Sequence, residues 1–259
     1  MNLDDSQRAS QTQFDRQSAR YGRGHLLADV SDLDAAADGI NLPAEGAALD
    51  LATGGGHTAL WLARRGYQVA IADISQRMLE NAARLLDEEG FLCDARQHTA
   101  EALPYSGRSF QVVTCRVAAH HFSDPAAFVR ESARVLAPGG YLLVVDGTAP
   151  DDQPEAEAWL HDLEKWRDPS HGRFLKPSVW RRMCESAGLE VLRADVHQLK
   201  QPDLEWYFET AATTPVNRER IRKLIRDASR PVREYYSLGE EDGRIVWQWP
   251  VLRLVARKD

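Results

Sequence analysis

ALDLATGGGHTA, residues 48–59, is the stretch that decides the fold. An apolar run over residues 47–51 has the length of a buried strand, and residues 58–65 have the apolar spacing of a helix. Between them, three consecutive glycines let the backbone turn tightly and approach a ligand, while the first amides of the helix are free to donate hydrogen bonds. The stretch therefore predicts a strand, a loop and a helix that bind a nucleotide-like molecule.

The next apolar run, residues 67–72, predicts a second buried strand, which ends at Asp73. A carboxylate in this position accepts hydrogen bonds from both hydroxyls of a ribose. Two cofactors fit, a dinucleotide and S-adenosyl-L-methionine. The spacing of Gly54, Gly56 and Ala59 satisfies even the relaxed dinucleotide fingerprint, which places its acid about 20 residues further on. The loop and the acid alone leave both cofactors open.

Five ordered blocks give the chain a resemblance to a known family. They read LDLATGGGHT at 49–58, AD at 72–73, TAEALPYSGRSFQVVTCR at 99–116, AAHHF at 118–122 and RVLAPGGYLLVVD at 134–146. In these blocks the chain resembles the class I S-adenosyl-L-methionine-dependent methyltransferases, in particular the bacterial group related to the ubiquinone and menaquinone biosynthesis methylases. A further stretch, EKWRDPSHGRFLKPSVW at 164–180, resembles a signature of one subgroup of small-molecule methyltransferases.

The resemblance implies an α/β fold with a Rossmann-like, seven-stranded sheet of order 3-2-1-4-5-7-6, its last strand antiparallel, and helices on both faces. Apolar runs predict the strands at 47–51, 67–72, 91–97, 110–115, 141–145, 189–199 and 245–256. Three helices are expected. One spans 75–89 and is capped by Ser75, the second runs from Pro125 to about 136 and is capped by Asp124, and the third spans 178–187.

The resemblance also implies a cofactor site. Amides of the glycine loop suit the carboxylate of the methionine part, Asp50 or nearby carbonyls suit its ammonium, and Asp73 suits the ribose. An apolar slot favours the flat adenine ring, and Tyr21, with Phe14, is expected to shield the sulfonium. The expected cofactor-binding residues are Tyr21, Asp50, Ala52, Thr53, Gly54, Gly56, Asp73, Ile74, Met78, Thr99, Ala100, Glu101, Arg116 and His121.

Thr99 departs from the family pattern. The family usually has an aspartate two places before the glutamate, and that acid bonds the adenine amino group. The Thr99 hydroxyl can still accept one hydrogen bond, so weaker affinity is expected, or a larger contribution from Glu101 and the backbone of Ala100.

Two histidines are candidate catalytic residues. His121 near its ordinary pKa could accept a proton from a thiol or phenol; alternatively, His120 and His121 cap the loop and pack against the ribose. His171 could be oriented towards the substrate by Asp168; equally, Asp168 and Ser170 could cap a turn. No metal is expected.

Composition limits the partners and the compartment. The chain has 259 residues and a net charge of −7, with 32 basic residues interspersed among 39 acidic ones, which disfavours nucleic acid as a partner. The three cysteines, Cys93, Cys115 and Cys184, form no C-x-x-C pair, as in proteins of a reducing compartment. No apolar run reaches the ~18 residues of a membrane helix, and the first residues lack the apolar core of a secretion signal. A cytoplasmic protein without integral membrane association is expected.

We expect one methyltransferase domain over residues 1–259, with an amino-terminal cap at 1–46 and a cofactor-binding core at 47–146. Two segments, 150–176 and 201–243, exceed what the sheet needs and are expected, together with residues 1–30, to form a mobile lid over the substrate. Their aromatic residues suit apolar recognition of the acceptor, namely Trp159, Trp166, Trp206, Tyr207 and Phe208. Surface decoration or a homodimer contact is the alternative.

The sequence thus predicts S-adenosyl-L-methionine-dependent methyl transfer to a small molecule by in-line displacement. Oxygen, nitrogen, sulfur and carbon acceptors all occur on this fold, so the acceptor atom is left open. Two alternatives stay: an NAD-dependent oxidoreductase, and a relative that uses the cofactor without methyl transfer, for example in a cyclisation.

Overall fold

A computed structural model describes residues 2–21 and 26–259. Its strands are β1 (Gly46–Leu51), β2 (Tyr67–Asp73), β3 (Cys93–Gln97), β4 (Phe110–Arg116), β5 (Leu136–Gly147), β6 (Leu189–Lys200), β7 (Gly239–Glu241), β8 (Arg244–Val246) and β9 (Gln248–Lys258). Seven of them form one sheet of order β3-β2-β1-β4-β5-β9-β6, in which β9 is antiparallel to both of its neighbours. The predicted topology is confirmed, with β9 as the seventh strand of the sheet.

The predicted boundaries of the last strand were wrong. Residues 245–256 do not form one strand, because Arg244–Val246 pairs with Gly239–Glu241 in a separate hairpin. Asp242 and Gly243 join the two strands, and both have positive φ, +49° and +74°. A two-residue Asp-Gly loop of this kind favours a tight hairpin. The strand of the main sheet begins only at Gln248.

The helices are α1 (Asp5–Gln17), α2 (Ser31–Ala37), α3 (His57–Ala63), α4 (Gln76–Glu88), α5 (Pro125–Val135), α6 (Pro154–Arg167), α7 (Pro177–Ser186), α8 (Leu204–Thr210), α9 (Pro215–Arg226) and α10 (Arg230–Tyr235). Both predicted caps are present: Ser75 Oγ accepts from the Met78 amide, and Asp124 accepts from the Ala127 amide. Along the described ranges, none of these helices has both the length and the apolar composition needed to cross a membrane.

Two apolar cores cover the two faces of the sheet. On one face, Phe128 of α5 and Trp180 of α7 pack with buried side chains of the strands. On the other, Trp61 of α3 and Leu79 of α4 do the same. Helices on both faces bury every central strand, which explains why β1, β2 and β4 are apolar almost throughout.

The segments 150–176 and 201–243 pack into a third core of their own. Trp159 stacks on Tyr236 with ring centroids 5.1 Å apart, and Tyr207 and Phe208 are buried beside them. The expectation that Trp159, Tyr207 and Phe208 recognise the acceptor was therefore wrong. The large aromatic surfaces gain more by burying one another than by remaining in an open pocket.

Candidate active site

A cavity opens at the carboxyl ends of β1, β2 and β4, where the strand order of the sheet reverses. Ligands of open parallel sheets bind at such a point. The cavity holds about 950 Å³ of space between atoms, its open mouth included. Of the residues predicted from the sequence, it brings together Tyr21, Ala52, Thr53, Gly54, Asp73, Ile74, Met78, Thr99, Ala100, Glu101, Arg116 and His121.

Asp50 lies beneath the loop and outside the cavity lining. Its carboxylate accepts hydrogen bonds from the hydroxyls of Thr53 at 2.6 Å and Thr114 at 2.7 Å. Burial raises the pKa of Asp50 to about 6, and the two hydroxyl donors act in the opposite direction. In this structure Asp50 therefore fixes Thr53 from below instead of facing a ligand.

The glycine loop has the backbone conformation that its sequence suggests. Gly54 and Gly56 have positive φ, +52° and +84°, and Ala52 shares this region at +53°. Gly56 lies outside the lining, packed against α4. A Cβ on Gly55 would lie 2.4 Å from the Tyr21 carbonyl oxygen. A side chain does not fit there, so at Gly55 the loop presents only backbone atoms.

Two of the six non-glycine residues with positive φ in the described part of the chain lie at the cavity. Ala52 follows β1 and Val117 follows β4, and both have φ near +50° although neither is glycine. Such conformations cost about 1–3 kcal/mol each and occur mainly at functional sites. Both residues line the cavity, at the carboxyl ends of β1 and β4.

Asp73 ends β2 and is 6% exposed. One carboxylate oxygen accepts from the Gly54 amide at 2.9 Å, and the other accepts from the Ser75 amide at 2.8 Å. Each oxygen retains a lone pair for a further donor. Burial raises the pKa of Asp73 to about 6; the two amides lower it, and nearby Asp15 raises it.

The side of the cavity expected to hold adenine has mixed polarity. Met78 is buried at the first turn of α4, and Ile74 lines the cavity beside it. Glu101 accepts from the amide and the hydroxyl of Ser123, at 3.0 and 3.2 Å, which fixes its carboxylate. Thr99 and Ala100 complete this wall.

The first helix, α1, covers the cavity. Phe14 and Tyr21 were expected at the ligand, whereas Gln7 and Ser10 were not. Gln7, Ser10 and Phe14 lie on one face of α1 and line the cavity, followed by Tyr21. Ser10 is 5% exposed, and its hydroxyl has no hydrogen-bond partner among the described residues. The spacing of residues 7, 10 and 14 places them on one face of a helix and could have predicted this contact. The helix is polar, however, so its sequence shows no apolar face.

Arg116 fixes the rest of the amino-terminal segment. Its guanidinium donates to the Asp32 carboxylate at 2.8 Å and to the carbonyl oxygens of Leu27 and Asp29. Leu27 in turn lines the cavity. The predicted cap at 1–46 therefore contacts the core on both sides of residues 22–25, which lie outside the described part of the chain.

His121 lines the cavity, with its ring edge-on to Phe14 at 4.9 Å. Its Nδ1 lies 3.1 Å from the carbonyl oxygen of Ser170. Burial, together with the charge of His120, lowers the pKa of His121 to about 4. The expectation of an ordinary pKa was wrong, and the ring is neutral at physiological pH.

His171 does not reach the cavity lining. It is 2% exposed and lies behind His120, with 5.1 Å between the ring centroids. Asp168 accepts from the amide and hydroxyl of Ser170, at 2.9 and 2.7 Å, and not from the His171 ring. The predicted Asp168–His171 pair was wrong, and the alternative, a turn capped by Asp168, is what the structure contains.

The sheet order and the cavity at its carboxyl edge define the methyltransferase class of α/β proteins. Residues 49–144 match the family described as "Methyltransferase domain". The YcgJ protein of Bacillus subtilis, an uncharacterized methyltransferase, is 34% identical over 82% of this chain and 83% of its own length. The chain belongs to this methyltransferase family.

Other comparisons agree with this assignment. The crystal structure of YcgJ superimposes with a TM-score of 0.83 and 30% identity, over 89% of this chain and 99% of that one. A ubiquinone biosynthesis O-methyltransferase of Stutzerimonas stutzeri is 30% identical over 65% of this chain and 74% of its own. The geranyl diphosphate C-methyltransferase of Streptomyces coelicolor A3(2), solved with S-adenosyl-L-homocysteine, shares the fold at 16% identity. Its TM-score is 0.61, over 88% of this chain and 76% of that one.

Proposed function

We propose that this protein transfers a methyl group from S-adenosyl-L-methionine to a small molecule. The observation that carries the proposal is the Asp73 carboxylate at the end of β2, hydrogen-bonded to the Gly54 amide inside the cavity. Its free lone pairs suit the two ribose hydroxyls. The backbone cradle at Gly55 suits the carboxylate of the methionine part, and buried Met78 suits the adenine ring.

The cofactor supplies a methyl group already activated on a cationic sulfur. The protein therefore has to align the acceptor and exclude water. Helix α1 covers the cavity, and Phe14 and Tyr21 meet edge-on with ring centroids 6.3 Å apart. Aromatic rings attract a desolvated cation by about 1–2 kcal/mol, which supports their proposed position beside the sulfonium.

His121 is the proposed general base. Because Nδ1 is engaged by the Ser170 carbonyl and the ring lines the cavity, Nε2 is the nitrogen available to an acceptor. A neutral imidazole accepts a hydrogen bond from a hydroxyl, a thiol or an N–H group. We also propose that the enzyme is cytoplasmic, which its free cysteines support. We propose that its substrates are metabolites and not nucleic acids, which its net charge of −7 supports. A homodimer is compatible with the same proposal.

Replacing Asp73 with alanine should weaken S-adenosyl-L-homocysteine binding by about 1.5–3 kcal/mol, roughly 10- to 150-fold, because hydrogen bonds to a charged group are lost. Calorimetry measures the effect. Asp94 is the matched control, since this acid on β3 is paired with Arg96 at the surface, and Asp94→Ala should bind normally. Unchanged binding in Asp73→Ala, or tight NAD binding by the wild type, would overturn the proposal.

Cofactor affinity should also depend on pH. Asp73 is ionised above a pKa of about 6 and accepts hydroxyl donors well only in that form. Affinity for S-adenosyl-L-homocysteine should therefore fall as the pH is lowered from 8 to 5, by at most about tenfold per unit below the pKa. The Asp73→Asn variant should bind more weakly and show a flatter profile, because Asp50 beneath the loop is then the remaining buried acid with a pKa of about 6. A flat profile in the wild type would contradict the role of Asp73.

Methyl transfer itself is tested with a metabolite extract and isotope-labelled S-adenosyl-L-methionine. Release of S-adenosyl-L-homocysteine and a labelled product, identified by mass spectrometry, is the expected result. Cofactor binding without methyl release would instead support a cyclisation or another reaction that retains the methyl group.

A further inference from the structure

Asp146 lies at the carboxyl end of β5 and is 1% exposed. Its carboxylate accepts hydrogen bonds from two nitrogen atoms of His120. One carboxylate oxygen accepts from Nδ1 of His120 at 2.6 Å and from the Gly147 amide at 2.8 Å. The other accepts from the backbone amide of His120 at 2.9 Å. Both the ring and the backbone of His120 are therefore fixed by a single buried acid.

The backbone of His120 in turn holds the segment 168–174. Its carbonyl oxygen accepts from the amides of Gly172 and Arg173, at 2.9 and 3.1 Å. A Cβ on Gly172 would lie 2.7 Å from that oxygen, so a side chain there would push the segment away. The close approach of the segment to the loop after β4 thus requires glycine at 172.

The same segment orients His121. Asp168 caps the turn through the amide and hydroxyl of Ser170, and the turn presents the Ser170 carbonyl oxygen to Nδ1 of His121. The Ser170 hydroxyl also lies 3.4 Å from Nδ1, but it donates its hydrogen to Asp168. A carbonyl oxygen only accepts, so Nδ1 carries the hydrogen. In the neutral ring, Nε2 then has the lone pair.

We propose that Asp146 and His120 are positioning residues that, through the Gly172 turn, hold His121 as the Nδ1–H tautomer with Nε2 accepting a hydrogen bond from the methyl acceptor. The inference rests on the proposed function, in which His121 faces the acceptor. It adds the substrate class: an acceptor that carries a hydrogen-bond donor, such as a hydroxyl, a thiol or an N–H group.

The surrounding charges agree with this assignment. Burial lowers the pKa of His120, but the charge and hydrogen bond of Asp146 more than offset it, so the pKa of His120 is raised. The rings of His120 and His121 are 4.2 Å apart, so a charged His120 keeps its neighbour neutral. The other charged or titratable groups around the two rings are Glu164, Arg167, Asp168 and His171.

This cluster is not arranged as a metal centre. Over residues 2–21 and 26–259, no three histidine, cysteine or acidic side chains are placed to hold one ion. The engaged Nδ1 atoms of His120 and His121 and the buried ion pair fit a hydrogen-bond relay instead.

Nitrogen-15 NMR of the histidine-labelled protein, saturated with S-adenosyl-L-homocysteine, tests the proposal because it reads the tautomer of each ring. The wild type should show His121 as the neutral Nδ1–H tautomer from pH 5 to 8, and His120 with a pKa above that of an ordinary histidine. His120→Asn, whose amide can still donate to Asp146, should keep the His121 tautomer. His120→Phe, Asp146→Asn and Gly172→Ala should produce a mixture of tautomers.

Gly239→Ala is the matched control for Gly172→Ala, since no atom lies within 4 Å of its added Cβ. An Nε2–H tautomer of His121 in the wild type would overturn the inference without using any variant. An unchanged tautomer in both Asp146→Asn and Gly172→Ala would also overturn it. Calorimetry with S-adenosyl-L-homocysteine on the same samples is independent of the tautomer, so failure of the proposed function would be recognised separately.

Discussion

Replacing His121 with alanine should lower turnover by about 10²- to 10⁴-fold, the range typical of a lost general base. Affinity for S-adenosyl-L-homocysteine should remain nearly unchanged, because within residues 2–21 and 26–259 the polar contacts of the ring are made by Nδ1, to the carbonyl and hydroxyl oxygens of Ser170. Turnover is measured as S-adenosyl-L-homocysteine released in the presence of the acceptor, and affinity by calorimetry. A loss in kcat without a loss in binding separates chemistry from packing.

The pH profile and a control sharpen this test. Because the pKa of His121 is about 4, wild-type turnover at saturating S-adenosyl-L-methionine should not show the fall near pH 6.5 that an ordinary histidine would cause. The loss in His121→Ala should shrink at alkaline pH if the acceptor ionises without help. His161, exposed on α6, is the control, and His161→Ala should turn over normally. Unchanged turnover in His121→Ala would show that His121 is not a general base and that its ring only packs in the cavity wall.

Replacing Gly56 with alanine should destabilise the fold by about 2–5 kcal/mol. The residue has φ +84°, and a Cβ there would lie 2.8 Å from Cα and 2.9 Å from Cβ of Ala82 in α4. The left-handed conformation costs about 1–2 kcal/mol for a residue with a side chain. Overpacking of α3 against α4 adds about 1–3 kcal/mol. Urea unfolding at equilibrium measures the sum.

Gly90 is the matched control for Gly56. It has nearly the same φ, +83°, but no atom lies within 4 Å of an added Cβ. Gly90→Ala should therefore lose only the conformational part, about 1–2 kcal/mol. Equal losses in the two variants would show that the close contact between the loop and α4 contributes nothing to stability.

The sequence by itself determined the sheet and the end of the cavity formed by the glycine loop and Asp73. Period and length of the apolar runs predict strands and helices, and parallel strands bring their carboxyl ends to one edge. Asp73 and the glycine loop therefore meet because β1 and β2 are neighbours, at a register that pairs Leu51 with Ala72. Caps such as Ser75 were predictable because a cap acts within four residues of its own position.

Only the tertiary structure decided what faces the cavity and what lies behind it. Asp50 and Asp73 both follow buried runs, yet Asp50 turns to Thr114 on β4, a partner 64 residues away. His171 and Tyr207 looked suited to a substrate but are buried, because the two insertions pack on each other. Ser10, which no sequence motif singled out, lines the cavity.

The physical reason is that burial depends on neighbours distant in the chain, and burial sets both packing and charge state. Desolvation lowers the pKa of His121 and raises that of Asp73. The extent of this desolvation cannot be predicted from the neighbouring residues in the sequence or from the period of the apolar runs. The hydrogen bonds of Asp146 to His120, of Gly172 to His120 and of His121 to Ser170 join three separate stretches of the chain. Local rules thus placed the strands, loops and caps, whereas contacts across the fold decided which of their side chains form the site.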